Sequence, residues 1–143
     1  NGHGGNEFIP FVRQIQSDCD VYVFLCDWWK VGFDIYKEIF KCSDDHAGEM
    51  ETSIALALYP KLVNMKAAKN SPVRQFRFEA LQKGWIRTSR NFSKINDDCA
   101  AGNPFDASAE KGKKYLDIVV NRISSFLLDL SKSEIDEYFP FST

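Results

Sequence analysis

The sequence predicts an α/β fold of three layers, α/β/α, around a mostly parallel sheet, and three observations predict it. Asp20 to Cys26 is β-branched and aromatic and apolar on both faces, as suits a strand buried between two helix layers. The segment before it, Asn6 to Ser17, repeats apolar residues at helical spacing: Phe8, Phe11 or Val12, and Ile15. Ahead of both lies the glycine-rich turn Asn1-Gly2-His3-Gly4-Gly5-Asn6. A functional turn of this kind normally follows a strand. A strand, turn, helix and strand make a right-handed crossover whose first strand would lie upstream of Asn1. The sheet is therefore expected to be incomplete in this chain. Ligands of such sheets sit beyond the C-terminal strand ends, which puts His3 and the residues after Cys26 at one rim.

The remaining elements follow in order. Asn6 can cap the first helix, and Pro10 falls early enough for its first turn. Asp27-Trp28-Trp29 places two indoles at the strand end, either as a core plug or as a flat wall for a planar substrate, with an indole N–H for a carbonyl. Phe33 to Phe40 reads as a short amphipathic helix, packed on the body or serving as a lid or subunit contact. Lys41 to Asp45 is a loop. A helix follows, with Met50, Ile54, Ala57 and Leu58 on its apolar stripe, and it stops at Tyr59-Pro60. From Val73 to Arg90 the pattern is looser and suggests one or two short strands with connections. Asn96 to Ala107 is loop, punctuated by Gly102-Asn103-Pro104. Ser108 to Leu130 is the clearest long helix, with Tyr115, Ile118/Val119, Ile123, Phe126/Leu127 and Leu130 on one face and Ser108 or Asp106 as its cap. The tail from Ser131 to Thr143 mixes acids with Tyr138, Phe139 and Phe141. No repeat, low-complexity segment or dividing linker interrupts the chain.

Composition narrows the function. A length of 143 residues suffices for one domain with a core. A net charge of -2 argues against a nucleic-acid surface, although Arg74, Arg77, Arg87 and Arg90 are interleaved with Phe76, Phe78 and Trp85. No apolar run approaches the ~20 residues that span a bilayer, so no membrane partner is expected. Cys19, Cys26, Cys42 and Cys99 show no C-x-x-C spacing, which points to a reduced, cytoplasmic protein rather than a zinc knuckle or redox pair.

The groups that carry chemistry cluster around the two histidines. Asp45-His46-Ala47-Gly48-Glu49-Met50-Glu51-Thr52-Ser53 brings an imidazole, carboxylates and two hydroxyls together at a helix start, where free N–H groups and the dipole favour anions. Glu51 lies off the apolar stripe and can face a cleft or simply cap the helix. Glu49 reads as a solvent-facing charge without chemistry. His3 can be a metal ligand, a general base or an anchoring core residue. The glycines beside it let the backbone come close to something bound, which makes Gly4, Gly5 and Asn6 candidates for substrate contact. His3 and His46 must meet in space if they share a site.

These motifs together resemble the creatininase (creatinine amidohydrolase) family. That family pairs an Asn-Gly-His-x-x-Asn turn with a His-Ala/Gly-Gly-x-x-Glu-Thr-Ser segment and an apolar helix ending in Tyr-Pro. Here these are Asn1 to Asn6, His46 to Ser53, and Ala57-Leu58-Tyr59-Pro60, while Ala107-Ser108-Ala109-Glu110-Lys111-Gly112 resembles the family's last helix start. The resemblance implies a creatininase-like fold, with residues 1–143 as the C-terminal part of a single domain. It implies two divalent ions (zinc, manganese or iron), with His3 as a ligand, lowering the pKa of a bridging water from ~15.7 towards ~7 to cleave a small-molecule amide. Glu51 would position or deprotonate that water. His46 would stabilise the oxyanion or protonate the leaving nitrogen, and Trp28 and Trp29 would flank the substrate.

Two departures from the family pattern are visible. Gly5 stands where creatininase proper has a metal-binding glutamate, and Cys42 occupies the region of a second tryptophan. They turn the expectation from creatinine itself towards another cyclic amide or a formamide. Peptide trimming within the family, or a non-catalytic subunit that keeps the fold, are the alternatives. The resemblance also implies a homo-oligomer, a hexamer.

Overall fold

Helices joined by irregular and 3-10 segments make up the chain. The computed structural model describes residues 1–43 and 46–142, so Asp44 and Asp45 of the loop ahead of His46 lie outside the described residues, as does Thr143. Six α-helices occur among the described residues: α1 (Ile9–Asp18), α2 (Tyr36–Ile39), α3 (Glu49–Leu58), α4 (Glu79–Gln82), α5 (Phe92–Ile95) and α6 (Ala109–Lys132). Among the described residues paired extended backbone is confined to two isolated antiparallel bridges, His46 with Ala101 and Ser71 with Gly102.

This corrects the expected three-layer α/β/α fold, because no sheet forms among the described residues. The physical reason lies in the ladder. A β-strand exists only when its N–H and C=O groups meet those of a neighbouring strand, whatever its side chains prefer. Residues 20–26 have the composition of a buried strand but find no ladder partner among the described residues, and Val21, Tyr22 and Phe24 remain about half exposed. Tyr22 meets Phe139 edge-on at 4.7 Å between ring centroids, and Phe24 meets Phe126 at 5.7 Å. The strands expected between Val73 and Arg90 are likewise replaced by α4 and loops.

The helix predictions fare better, with shifted ends. α1 starts at Ile9 behind Phe8 rather than behind Asn6, with Pro10 in its first turn, where no intrahelical donor is lost. Residues 33–40 split into a 3-10 turn, Phe33–Ile35, and the single turn of α2. α3 ends at Leu58 before Pro60, and α6 begins one residue past Ser108, whose Oγ accepts from Lys111 N at 3.3 Å as an N-cap. Residues 92–95, given no element by their sequence pattern, form α5.

The chain divides into two compact units, one of Asn1–Phe33 with Ile118–Thr143, the other of Asp34–Asp117, with the division falling inside α6. In the first unit the Arg122 guanidinium donates to Val31 O at 2.7 Å. In the second, Phe40 and Tyr115 pack edge-on at 5.3 Å beside buried Ile39, Ile95 and Ala101. There α3 and α6 meet backbone to backbone. A Cβ on Gly112 would lie 2.0 Å from Ser53 O, so only glycine permits this approach. Ser53, fully buried, donates from Oγ to Glu49 O at 2.6 Å and accepts from Ser108 N at 3.1 Å. No helix among the described residues is long and apolar enough to cross a membrane.

Candidate functional site

The glycine turn of the first unit is built on Asn1. Its backbone nitrogen donates to Cys26 O at 2.7 Å, and its Nδ2 donates to Asp27 Oδ1 at 2.9 Å. Its own Oδ1 accepts from His3 N (3.2 Å) and Asn6 Nδ2 (3.1 Å), which closes the turn on itself. The turn thus lies against the residues that follow Cys26. The Lys30 ammonium, 2.6 Å from Asp27, and then the Asn1 amide hold the Asp27 carboxyl below its ordinary pKa.

Trp28 and Trp29 stand edge to face at 6.3 Å, and both are partly exposed rather than sealed in a core. The position of an added Cβ on Gly4 is 3.8 Å from Trp29 Cζ2, so the turn packs on that indole. His3 is exposed, and its Nδ1 accepts from Gly5 N at 2.9 Å. In a neutral imidazole this bond places the ring proton on Nε2. Any side chain at position 5 would crowd the ring, since a Cβ there would sit 3.1 Å from His3 Nδ1.

The second unit carries the His46 segment. The His46 backbone pairs with Ala101 through two bonds, N to O at 3.1 Å and O to N at 2.8 Å, and its ring meets Phe92 edge-on at 5.6 Å. Ala47 then turns with φ +52°, a left-handed conformation that a residue with a Cβ adopts only at a cost. The turn is held by the helix it leads into. Glu51 Oε2 accepts from Ala47 N at 2.5 Å, and Thr52 Oγ1 donates to Ala47 O at 3.3 Å. The same Glu51 oxygen lies 3.2 Å from His46 Nδ1. Both side chains stay about a third exposed, at 34% and 39%. A carboxylate beside Nδ1 favours the neutral tautomer that carries its proton on that nitrogen, with Nε2 as the basic ring atom. This is an oriented acid–base pair. A cleft of about 340 Å³, at the lower end of small-molecule sites, is lined by the neighbouring Ala47 and Thr52 together with Asn64, Lys69, Ser71 and Asp98, and by neither His46 nor Glu51.

The residues singled out by sequence divide between the two units. His3, Gly4, Gly5, Asn6, Trp28 and Trp29 belong to the first unit, and His46 and Glu51 to the second. Among the described residues no group of three or more His, Cys, Asp and Glu side chains could hold a metal ion. With the His3 ring bonded to Gly5 as it is, the described residues do not by themselves fit a two-metal centre.

Sequence reasoning missed two carboxylates. Asp27 anchors Asn1, and a carboxylate directly after a strand-like run and before two indoles was the available signal. Glu49 is fully buried rather than solvent-facing, which corrects that expectation. Its partner Lys111 stands immediately before the helix-contact glycine, a pairing of distant residues that no local pattern reveals.

Comparison with known proteins agrees with the motifs. The family model described as creatininase, creatinine amidohydrolase, matches residues 1–127. The crystal structure of a candidate creatinine amidohydrolase from Bacteroides fragilis NCTC 9343 superposes with a TM-score of 0.85 at 29% identity, over 94% of this chain and 53% of that one. The chain thus spans about half the length of that structure. No curated protein matches. With a family model covering most of its length, this chain belongs to the creatininase family.

Proposed function

We propose that the protein is an amidohydrolase that cleaves a non-peptide C–N bond, that of a cyclic amide or formamide, in a small molecule. The observation that carries this reading is the His46–Glu51 pair, 3.2 Å apart on a strained turn at the start of α3. In this reading Glu51 fixes the imidazole tautomer, and His46 Nε2 moves the proton between the attacking water and the departing nitrogen. Substrate contact by Trp28, Trp29, Gly4, Gly5 and Asn6 rests on the family resemblance alone, in which the indoles supply flat apolar area. Dependence on zinc, manganese or iron, with His3 as a ligand, rests on the family alone and needs donors besides those of the described residues. Assembly as a hexamer rests on the same footing, and a cytoplasmic location rests on the cysteine usage alone.

The test is a panel of cyclic amides, formamides and short peptides offered to the intact protein, with and without chelator and added divalent ions. Turnover of a cyclic amide or formamide that falls by on the order of 10²–10⁴ in His46→Ala is the expected result. Turnover of peptides alone would move the assignment to a peptide-trimming member. Hydrolysis indifferent to His46→Ala and Glu51→Gln, or none with any ion, would overturn it.

A further inference from the structure

Glu49 is the one charged side chain among the buried described residues, with 0% exposure. Burying a carboxylate is costly unless its oxygens are met, and a buried ion pair is seldom the cheapest way to stabilise a fold. Here both oxygens are met. Oε2 accepts from the backbone nitrogens of Lys41 (2.7 Å) and Cys42 (3.0 Å). Oε1 accepts from the Lys111 ammonium, which also donates to Asp106 O at 2.8 Å.

Two residues further along the same helix turn, Glu51 fastens Ala47 N and His46 Nδ1. Glu49 thus ties the first turn of α3 to residues 41–42 and, through Lys111, to α6. Glu51, on the same turn, holds Ala47 in its left-handed conformation together with Thr52, and holds the His46 ring at Nδ1.

We propose that Glu49, neutralised by Lys111, is a positioning residue for the His46–Glu51 pair. It touches no substrate; it sets the helix turn from which Glu51 reaches His46. As a role in catalysis this rests on the amidohydrolase reading, but the geometric part stands without it.

The experiment compares Glu49→Gln and Lys111→Gln with the parent in the intact protein, and with Val119→Ala, which removes buried volume elsewhere. Two readouts are taken well below the melting temperature of each variant. One is the ¹⁵N resonances of the His46 imidazole, assigned through His46→Ala; the other is kcat and KM on whichever amide of the panel is turned over. Positioning predicts that both polar variants move the His46 resonances and lower kcat on the order of a hundredfold with KM nearly unchanged, while Val119→Ala does neither. Unmoved His46 resonances in Glu49→Gln, or a kcat loss that Val119→Ala reproduces at equal loss of melting temperature, would overturn it. If Glu49→Gln does not fold, Lys111→Gln, whose side chain is 26% exposed, decides by the same criteria. If the parent turns over nothing, the amidohydrolase reading fails, and the imidazole resonances still decide whether Glu49 positions His46.

Discussion

Ala47 holds the least comfortable backbone in the site, at φ +52° between the paired His46 and the start of α3. An L-residue there costs roughly 1–2 kcal/mol, and glycine forgoes that cost but loses about 0.5–1 kcal/mol of chain entropy. Ala47→Gly should therefore leave stability equal or raise it by up to about 1 kcal/mol, read by denaturant unfolding; a loss of more than that would show the strain to be absent. Charge acts at the same scale. The Lys30 ammonium lowers the Asp27 carboxyl pKa, as Arg74 lowers that of Asp97 and Lys41 that of Asp106. A depressed carboxyl stabilises the fold above its ordinary value of 3.8, and that contribution goes as pH falls through the lowered value. Acid that takes the pH through that lowered value should thus weaken the hold of Asp27 on Lys30 and Asn1 and loosen the glycine turn. Melting temperature followed from pH 5 to 2 should fall less steeply in Asp27→Asn than in the parent; identical slopes would remove Asp27 from the account.

Helices were legible where their signal is local. The apolar stripe of residues 50–58, the stop at Pro60 and the hydroxyl cap at Ser108 each depend on neighbours within a few positions, and α3 and α6 lie close to where those features put them. What the stripe could not say is how close the two helices come. Gly112 reads as an ordinary helix-weakening glycine until Ser53 O is found in the space its side chain would take. Gly112→Ala should raise intrinsic helix propensity yet destabilise the protein by about 3 kcal/mol or more, because backbone rather than a pliant side chain must move. A neutral or stabilising result in urea denaturation would mean that α3 and α6 part easily.

Many large apolar side chains of the described residues are exposed. No residue of α1 is buried, and Phe11, Leu62 and Phe141 are 65%, 82% and 80% exposed. Surfaces of this kind drive association. The 143-residue chain by itself should self-associate and bind a hydrophobic dye, read by light scattering and dye fluorescence, and a monodisperse, cooperatively melting sample would contradict this. The family was readable at this scale, since its glycine turn, histidine segment and last helix start recur in order. The sheet was not. Residues 20–26 carry the side chains of a strand, but composition describes one chain segment and a ladder requires two.

The sequence by itself determined the family, the helices with local stripes and caps, and the residue types at the two histidine motifs, because each of these is written in neighbouring positions. Only the tertiary structure decided that no sheet forms among the described residues, that Glu51 turns to His46 while Glu49 is sealed against Lys111, and that Asn1 is tied to Asp27. Those outcomes depend on groups 5 to 62 positions apart meeting in space, and the energy of a hydrogen bond or ion pair is set by that distance and its burial, not by the identity of either partner alone.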